Sequence, residues 1–271
     1  MGPFSHCCEN DAKLKLSVIK AKYLSVFFSF LHKSMTQAKR KHPNLRIGIS
    51  FCLHRGKENA IFMIKNIILD LGVVTVRLDK QRCIDAFVGL GMTDIDKHIS
   101  NCKQYGLFGA IELGEMSNAE FYKRMREDNN LTATDSEIDA AWNAFILDTP
   151  TGLQNMLHNL KNKYRIYLLS NTNQIHYDYW AEHCMGTEGG NTVAECFDKC
   201  YLSNELHLAK PDPKIYKAVM TDMKAKPEEC LYLDDNLQNV EEARRQGWNA
   251  EQSLSPEQTM ERLKRLEAEG I

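Results

Sequence analysis

Four short apolar runs, each closed by a polar residue and each followed by helical periodicity, limit what this chain can fold into more than any other feature. They are Ile67-Ile68-Leu69 ending at Asp70, Tyr164 to Leu169 ending at Ser170, Cys200-Tyr201-Leu202 ending at Ser203, and Cys230 to Leu233 ending at Asp234 and Asp235. Runs this short and this uniformly apolar read as strands covered on both faces. Helical signals lie between them. Leu153, Met156, Leu157 and Leu160 share one face behind Thr149-Pro150, which reads as an N-cap with proline at N1. A helical stretch begins at about Gln174, and Asp212-Pro213 caps a helix carrying Ile215, Val219 and Met223. Asn236 to Arg245 reads as a helix stopped by Gly247, and Ser255-Pro256-Glu257-Gln258 opens the last one. The expected fold class is therefore α/β: a Rossmann-like parallel sheet core with helices on both faces.

Residues 80–147 break the alternation. Cys83, Ile84, Ala86, Phe87 and Leu90 recur at helical spacing. Ser117-Asn-Ala-Glu120 and Thr134-Asp-Ser-Glu137 read as capping boxes, the second opening a helix with Ile138, Ala141, Trp142 and Phe145. The expected organisation is a small inserted helical cap at 80–147, within a core made of 63–79 and 148–271. Residues 1–62 hold 11 Lys/Arg against 3 Asp/Glu, whereas 63–271 hold 23 against 33. They read as a basic leader outside the fold. Within them, the apolar run Tyr23 to Leu31 has no convincing small-residue cleavage site after it. No apolar run reaches the roughly 18 residues of a membrane span, and a net charge of −2 disfavours a nucleic-acid binder. Nine irregularly spaced cysteines without a C-x-x-C read as reduced thiols of a cytoplasmic protein. Cys196 and Cys200 stand at a spacing that zinc ligands use, but no second close pair accompanies them.

Ligands of an open parallel sheet bind beyond the carboxyl ends of its strands. The polar residues there are Asp70, Ser170-Asn171-Thr172, Ser203 with Lys210 soon after, and Asp234-Asp235. Three carboxylates brought to one crevice repel unless a cation joins them. Oxygen-only ligation suits magnesium together with a substrate phosphate. Lys210 and the Ser170 hydroxyl suit an anionic group, and a carboxylate can act as nucleophile.

In order and spacing, four segments resemble the haloacid dehalogenase superfamily of aspartate-nucleophile phosphohydrolases. They are Ile67-Ile-Leu-Asp70-Leu-Gly-Val-Val, Tyr167-Leu-Leu-Ser170-Asn-Thr-Asn, Lys210-Pro-Asp-Pro-Lys-Ile-Tyr216 and Leu231-Tyr-Leu-Asp234-Asp-Asn-Leu-Gln-Asn239-Val. The likeness covers roughly 63–250. Within the superfamily it is most similar to bacterial glucose-1-phosphate-type sugar phosphatases, to which Glu112-Leu-Gly-Glu-Met-Ser117 also bears a resemblance. The resemblance implies a magnesium-dependent phosphatase of a small phosphorylated metabolite, a sugar phosphate among the candidates, working through an aspartyl-phosphate. It implies Asp70 as nucleophile and metal ligand, with Gly72 giving its carbonyl to the metal. Ser170 and the backbone of Asn171 would hold phosphoryl oxygens. Lys210 would neutralise the phosphoryl group and steady Asp70. Asp235 would bind the metal directly, and Asp234 directly or through water. Asn239 reads as orienting its loop.

The departures sharpen the alternatives. Phosphatases of this superfamily generally carry a second aspartate, two residues after the nucleophile, as general acid and base. Here that position is Gly72. General acid–base catalysis contributes about 10²–10⁴-fold. Its loss therefore leaves open a catalytically weak or inactive phospho-ligand binder. A 2-haloacid dehalogenase is the third reading, and the Asp234-Asp235 pair argues against it, because that chemistry needs no metal. Val73 stands where close relatives often have glycine or asparagine. His207 stands near a point where glycine is common, and reads as a surface or packed residue.

Overall fold

The computed structural model describes residues 63–99, 106–187 and 189–269. The expectations for 1–62 lie outside these residues. Strand β1 (Asn66–Leu69) is followed by helices α1 (Lys80–Gly89), α2 (Gly106–Glu112), α3 (Asn118–Asn129), α4 (Asp135–Asn143) and α5 (Thr151–Leu160). Then come β2 (Arg165–Ser170), α6 (Gln174–His183), the single turn α7 (Val193–Cys196) and β3 (Lys199–Leu202). A second single turn, α8 (Ser203–Leu206), leads to α9 (Pro213–Met223) and β4 (Cys230–Asp234). Helix α10 (Leu237–Arg245), β5 (Asn249–Gln252) and α11 (Pro256–Glu269) complete the order.

The five strands form one parallel sheet in the order β3-β2-β1-β4-β5. The expected α/β class holds. β1 lies at its centre, with Leu69 in register with Leu168 on one side and Leu233 on the other. Asp70 therefore leaves the sheet between the ends of β2 and β4. The two-residue period of the strand divides the core. Ile67 and Leu69 pack with Leu153, Leu157, Trp180 and Leu263 from α5, α6 and α11. Ile68 packs on the other face with Ile215, Val219 and Val240 from α9 and α10. The Ile67, Ile68 and Leu69 side chains are fully buried, each stabilising the fold by roughly 1.5–3 kcal/mol.

Helices α1 to α4 enclose a separate apolar cluster. Phe108 meets Phe87, Phe121 and Trp142 edge-on at 5.6, 5.5 and 4.9 Å, and Phe121 stacks on Trp142. The chain enters and leaves this layer by two paired segments. Arg77 N–H donates to Asp148 O, Leu147 N–H to Arg77 O, and Asp79 N–H to Phe145 O, each at 2.8–2.9 Å.

Three local readings are corrected. Strand β5 was not expected. Its sequence Asn-Ala-Glu-Gln buries only Ala250, so it carries no apolar run and exists because β4 and the Arg244 guanidinium, bonded to Ala250 O, hold it. The N-cap of α5 is Pro150, without a side-chain cap. The Thr149 hydroxyl instead accepts from Trp180 Nε1 at 2.9 Å. Thr134 and Glu137 close a full capping box, whereas Ser117 only accepts from Glu120 N–H.

Candidate active site

The loop after β1 is wound tightly. Thr75 and Val76 N–H both donate to Leu71 O, and Val74 N–H donates to Gly72 O at 2.7 Å. The winding puts Val73 at φ +65°, a conformation costly for a β-branched residue. It brings Asp70 into a cleft with Gly72, Ser170, Asn171, Lys210, Asp235 and Asn239, while Asp234 is not among the residues lining it. The cavity measures about 70 Å³.

Lys210 is the centre of the charge arrangement. Its buried ammonium lies 2.9 Å from Asp70 Oδ1 and 2.7 Å from Asp234 Oδ2, and donates to Leu169 O at 2.8 Å. Those three contacts use all three N–H groups. Burial alone would lower its pKa, but Asp234 and Asp70 outweigh that and raise it. Asn171 holds the lysine's backbone from both sides, donating to Lys210 O at 2.9 Å and accepting from Lys210 N–H at 2.8 Å. Ser170, at the end of β2, is buried on the cleft wall.

The three carboxylates of Asp70, Asp234 and Asp235 bring oxygens within 4.8 Å of one another. Their surroundings differ. Asp234 is wholly buried, and both its oxygens are occupied: Asn236 N–H and Asn239 donate to Oδ1, and Lys210, Tyr232 O–H and Asn239 donate to Oδ2. Asp235 lines the cleft. Asp70 Oδ1 accepts from Leu71 N–H at 2.7 Å and faces Lys210. Its Oδ2 has no hydrogen bond among the described residues. Burial pushes the Asp70 carboxyl up to about 7; Lys210 opposes this, and Asp234 and Asp235 add to it. Burial and then Asp234 likewise raise Asp235 to about 6. Two carboxylates held that high, with one lysine between three acids, mark a place short of positive charge. This oxygen-only donor set fits a hard divalent cation. Cys196 and Cys200 join no metal-ligating cluster among the described residues, and Cys196 Sγ donates to Gln154 O.

The sequence reading assigned no role to several cleft residues. Glu112, the last residue of α2, lines the cleft beside Phe145, Ile146, Thr172 and His176. Burial, then the charge of Asp70, holds its carboxyl well above the usual range. His176 is lowered to about 4 by burial. It stacks parallel to Phe145 and has Nε2 3.3 Å from Trp142 O. Glu112 stands in a segment whose resemblance was visible, but helical spacing alone did not say which way its side chain faces. His207, read as a packed or surface residue, adopts φ +53° and sets Nδ1 3.1 Å from Leu113 O.

A comparison with protein families matches residues 89–247 to the haloacid dehalogenase-like hydrolases. The D-ribitol-5-phosphate phosphatase of Bacteroides thetaiotaomicron is 33% identical over 178 residues, 66% of this chain and 86% of that protein. A haloacid dehalogenase family enzyme of the same organism, solved with magnesium and inorganic phosphate, superposes with a TM-score of 0.66 at 38% identity. That match covers 70% of this chain and 93% of that one. A haloacid dehalogenase-like hydrolase structure from Porphyromonas gingivalis gives 0.69 at 30% identity, over 75% and 98%. The fold and the site define a hydrolase with a carboxylate-rich cleft at the sheet's carboxyl edge. The chain belongs to the haloacid dehalogenase-like hydrolase family, and is an enzyme of that class with phosphatases among its relatives.

Proposed function

We propose that this chain is a magnesium-dependent phosphatase of a small phosphorylated sugar or polyol, acting through an aspartyl-phosphate on Asp70. The observation that carries the reading is Asp70 itself: a buried carboxylate with one oxygen held by Leu71 N–H and Lys210 and the other free of hydrogen bonds among the described residues. Asp70, Asp235 and the Gly72 carbonyl would hold the cation, which supplies positive charge to Asp70 and to the phosphoryl oxygens. Asp234 has its oxygens taken by protein donors, so its part is to hold Lys210 in place. Lys210 orients Asp70 and opposes the burial that favours its protonated form, while Ser170 and the Asn171 backbone receive the phosphoryl group. Phosphatase action on D-ribitol 5-phosphate by a relative covering most of its own length supports a polyol or sugar phosphate as substrate.

Residues 63–79 and 148–271 serve as the catalytic core, and 80–147 as its cap. A cavity of about 70 Å³ is well below the roughly 300–1,000 Å³ of small-molecule sites, so the cap opens to admit substrate. No helix among the described residues is long and apolar enough to cross a membrane. The described cysteines Cys83, Cys184, Cys196, Cys200 and Cys230 are free, in keeping with a reducing, cytoplasmic setting.

The test is phosphate release from a panel of sugar and polyol phosphates, with magnesium and with EDTA, for the wild type and Asp70→Asn. Turnover that needs magnesium and disappears in Asp70→Asn is the expected result. Binding of phosphate mimics without turnover on any substrate would instead make the chain a phospho-ligand binder.

A further inference from the structure

An alkoxide leaving group needs a proton as its bond to phosphorus breaks. The β1 loop offers none: Leu71, Gly72, Val73, Val74 and Thr75 carry no acid. Of the ionisable groups lining the cleft, Asp70 is the nucleophile and Asp235 faces the cation position. Lys210 has all three N–H groups engaged. His176 is turned to Trp142 O and held neutral by burial. Glu112 is the group that remains, and it does not belong to the three-carboxylate cluster.

Its placement suits the task. Glu112 reaches the cleft from the helical layer, whereas Asp70, Ser170 and Asp235 come from strand ends. In-line displacement puts the leaving oxygen on the side of phosphorus away from Asp70, toward the layer that covers the strand ends. The segment is pinned through its backbone. The Ser203 hydroxyl, wholly buried, lies 2.5 Å from Glu112 O and His207 Nδ1 lies 3.1 Å from Leu113 O. Gly114, at φ +67°, passes so close to Asn204 O that a Cβ would come within 2.1 Å of it. The same Ser203 hydroxyl also lies 3.0 Å from Thr172 O. Having one hydrogen to give, it has an alternative acceptor whenever the helical layer withdraws. The latch therefore opens without stranding a buried donor.

We propose that Glu112 is the catalytic acid and base for the leaving oxygen, a carboxyl delivered by the helical layer and fixed by Ser203, His207 and the close approach at Gly114. The inference rests on the phosphatase reading above. In the first step an Asp70 oxygen bonds to phosphorus, the bond from phosphorus to the leaving oxygen breaks, and that oxygen takes the Glu112 proton. In the second, water bonds to phosphorus, the Asp70–phosphorus bond breaks, and the water's proton returns to Glu112. Burial and then the charge of Asp70 both favour the protonated form of this carboxyl.

The experiment compares wild type, Glu112→Gln and Asp70→Asn on ribitol 5-phosphate and on p-nitrophenyl phosphate, whose leaving group needs no proton. The latch uses the backbone of residue 112, so Glu112→Gln keeps it, and thermal melting checks the fold. The expected result is a loss of about 10²–10⁴-fold in kcat on the polyol phosphate. With p-nitrophenyl phosphate, Glu112→Gln still gives a rapid burst of one equivalent of p-nitrophenol per enzyme, followed by slow turnover. Unchanged kcat on the polyol phosphate overturns the proposal. So does an equal loss on both substrates with no burst. Turnover surviving in Asp70→Asn overturns the phosphatase mechanism itself, a different result from either.

Discussion

Asp70 concentrates the conflict between stability and chemistry at one residue. Its folded pKa of about 7 stands above the ordinary 3.8, burial being the main cause. The folded protein therefore holds a proton on Asp70 that the unfolded chain releases. Its stabilising contribution is complete below pH 3.8 and is lost as pH rises through about 7. In magnesium-free buffer at pH 8, Asp70→Asn is expected to be more stable than wild type, by up to about 4 kcal/mol at 1.36 kcal/mol per pKa unit. At pH 4 the two should melt together. Denaturant unfolding at both pH values checks this, and a variant less stable at pH 8 would refute it. That Asp70, Ser170, Lys210 and Asp235 meet in one cleft was legible in the sequence, because each follows a short apolar run or stands in a compact motif. The resemblance already favoured Asp235 as the direct metal ligand, but the full burial and hydrogen bonding of Asp234 were not legible. Adjacent identical residues look alike in a sequence, and only the donors around Asp234, from Lys210, Tyr232, Asn236 and Asn239, set them apart.

At the scale of elements, β1 to β4 were legible because burial on both faces writes itself as an apolar run. β5 was not, because an edge strand with one buried side chain has no such signature. Helices α1, α3 and α4 were visible by period or caps, α2 only as part of the helical stretch 80–147, and period does not show which turn meets another element. The meeting point is the turn after α2, where Gly114 approaches Asn204 O. Gly114→Ala must displace that turn, because φ +67° and a backbone oxygen both oppose a Cβ. The aromatic cluster of Phe87, Phe108, Phe121 and Trp142 lies away from the change and keeps the helical layer folded. The expected outcome is a modest loss of stability, about 1–3 kcal/mol, with a disproportionate loss of kcat as Glu112 drifts from the leaving oxygen. Melting and steady-state kinetics on ribitol 5-phosphate separate the two effects. Wild-type kcat in this variant would mean the turn does not position Glu112.

For the whole molecule, the question is how much chain the catalytic unit needs. The P. gingivalis structure is matched over 98% of its length by 75% of this chain, and the B. thetaiotaomicron structure over 93% by 70%. A relative's length is thus accommodated in about the number of residues between Met63 and Ile271. Within that stretch β1 has partners on both sides, its Ile67, Ile68 and Leu69 side chains are fully buried, and among the described residues the cleft lining runs from Asp70 onward. The charge change at residue 62 falls at the same boundary, as a segment of opposite sign added to an acidic body would produce. Removing residues 1–62 is therefore expected to leave kcat, KM and the melting temperature nearly unchanged, while moving the net charge from −2 to −10. Circular dichroism melting and phosphate-release kinetics on the two chains make the comparison. Loss of the melting transition, or a rise in KM confined to the shorter chain, would show that the basic segment takes part in folding or in holding an anionic substrate.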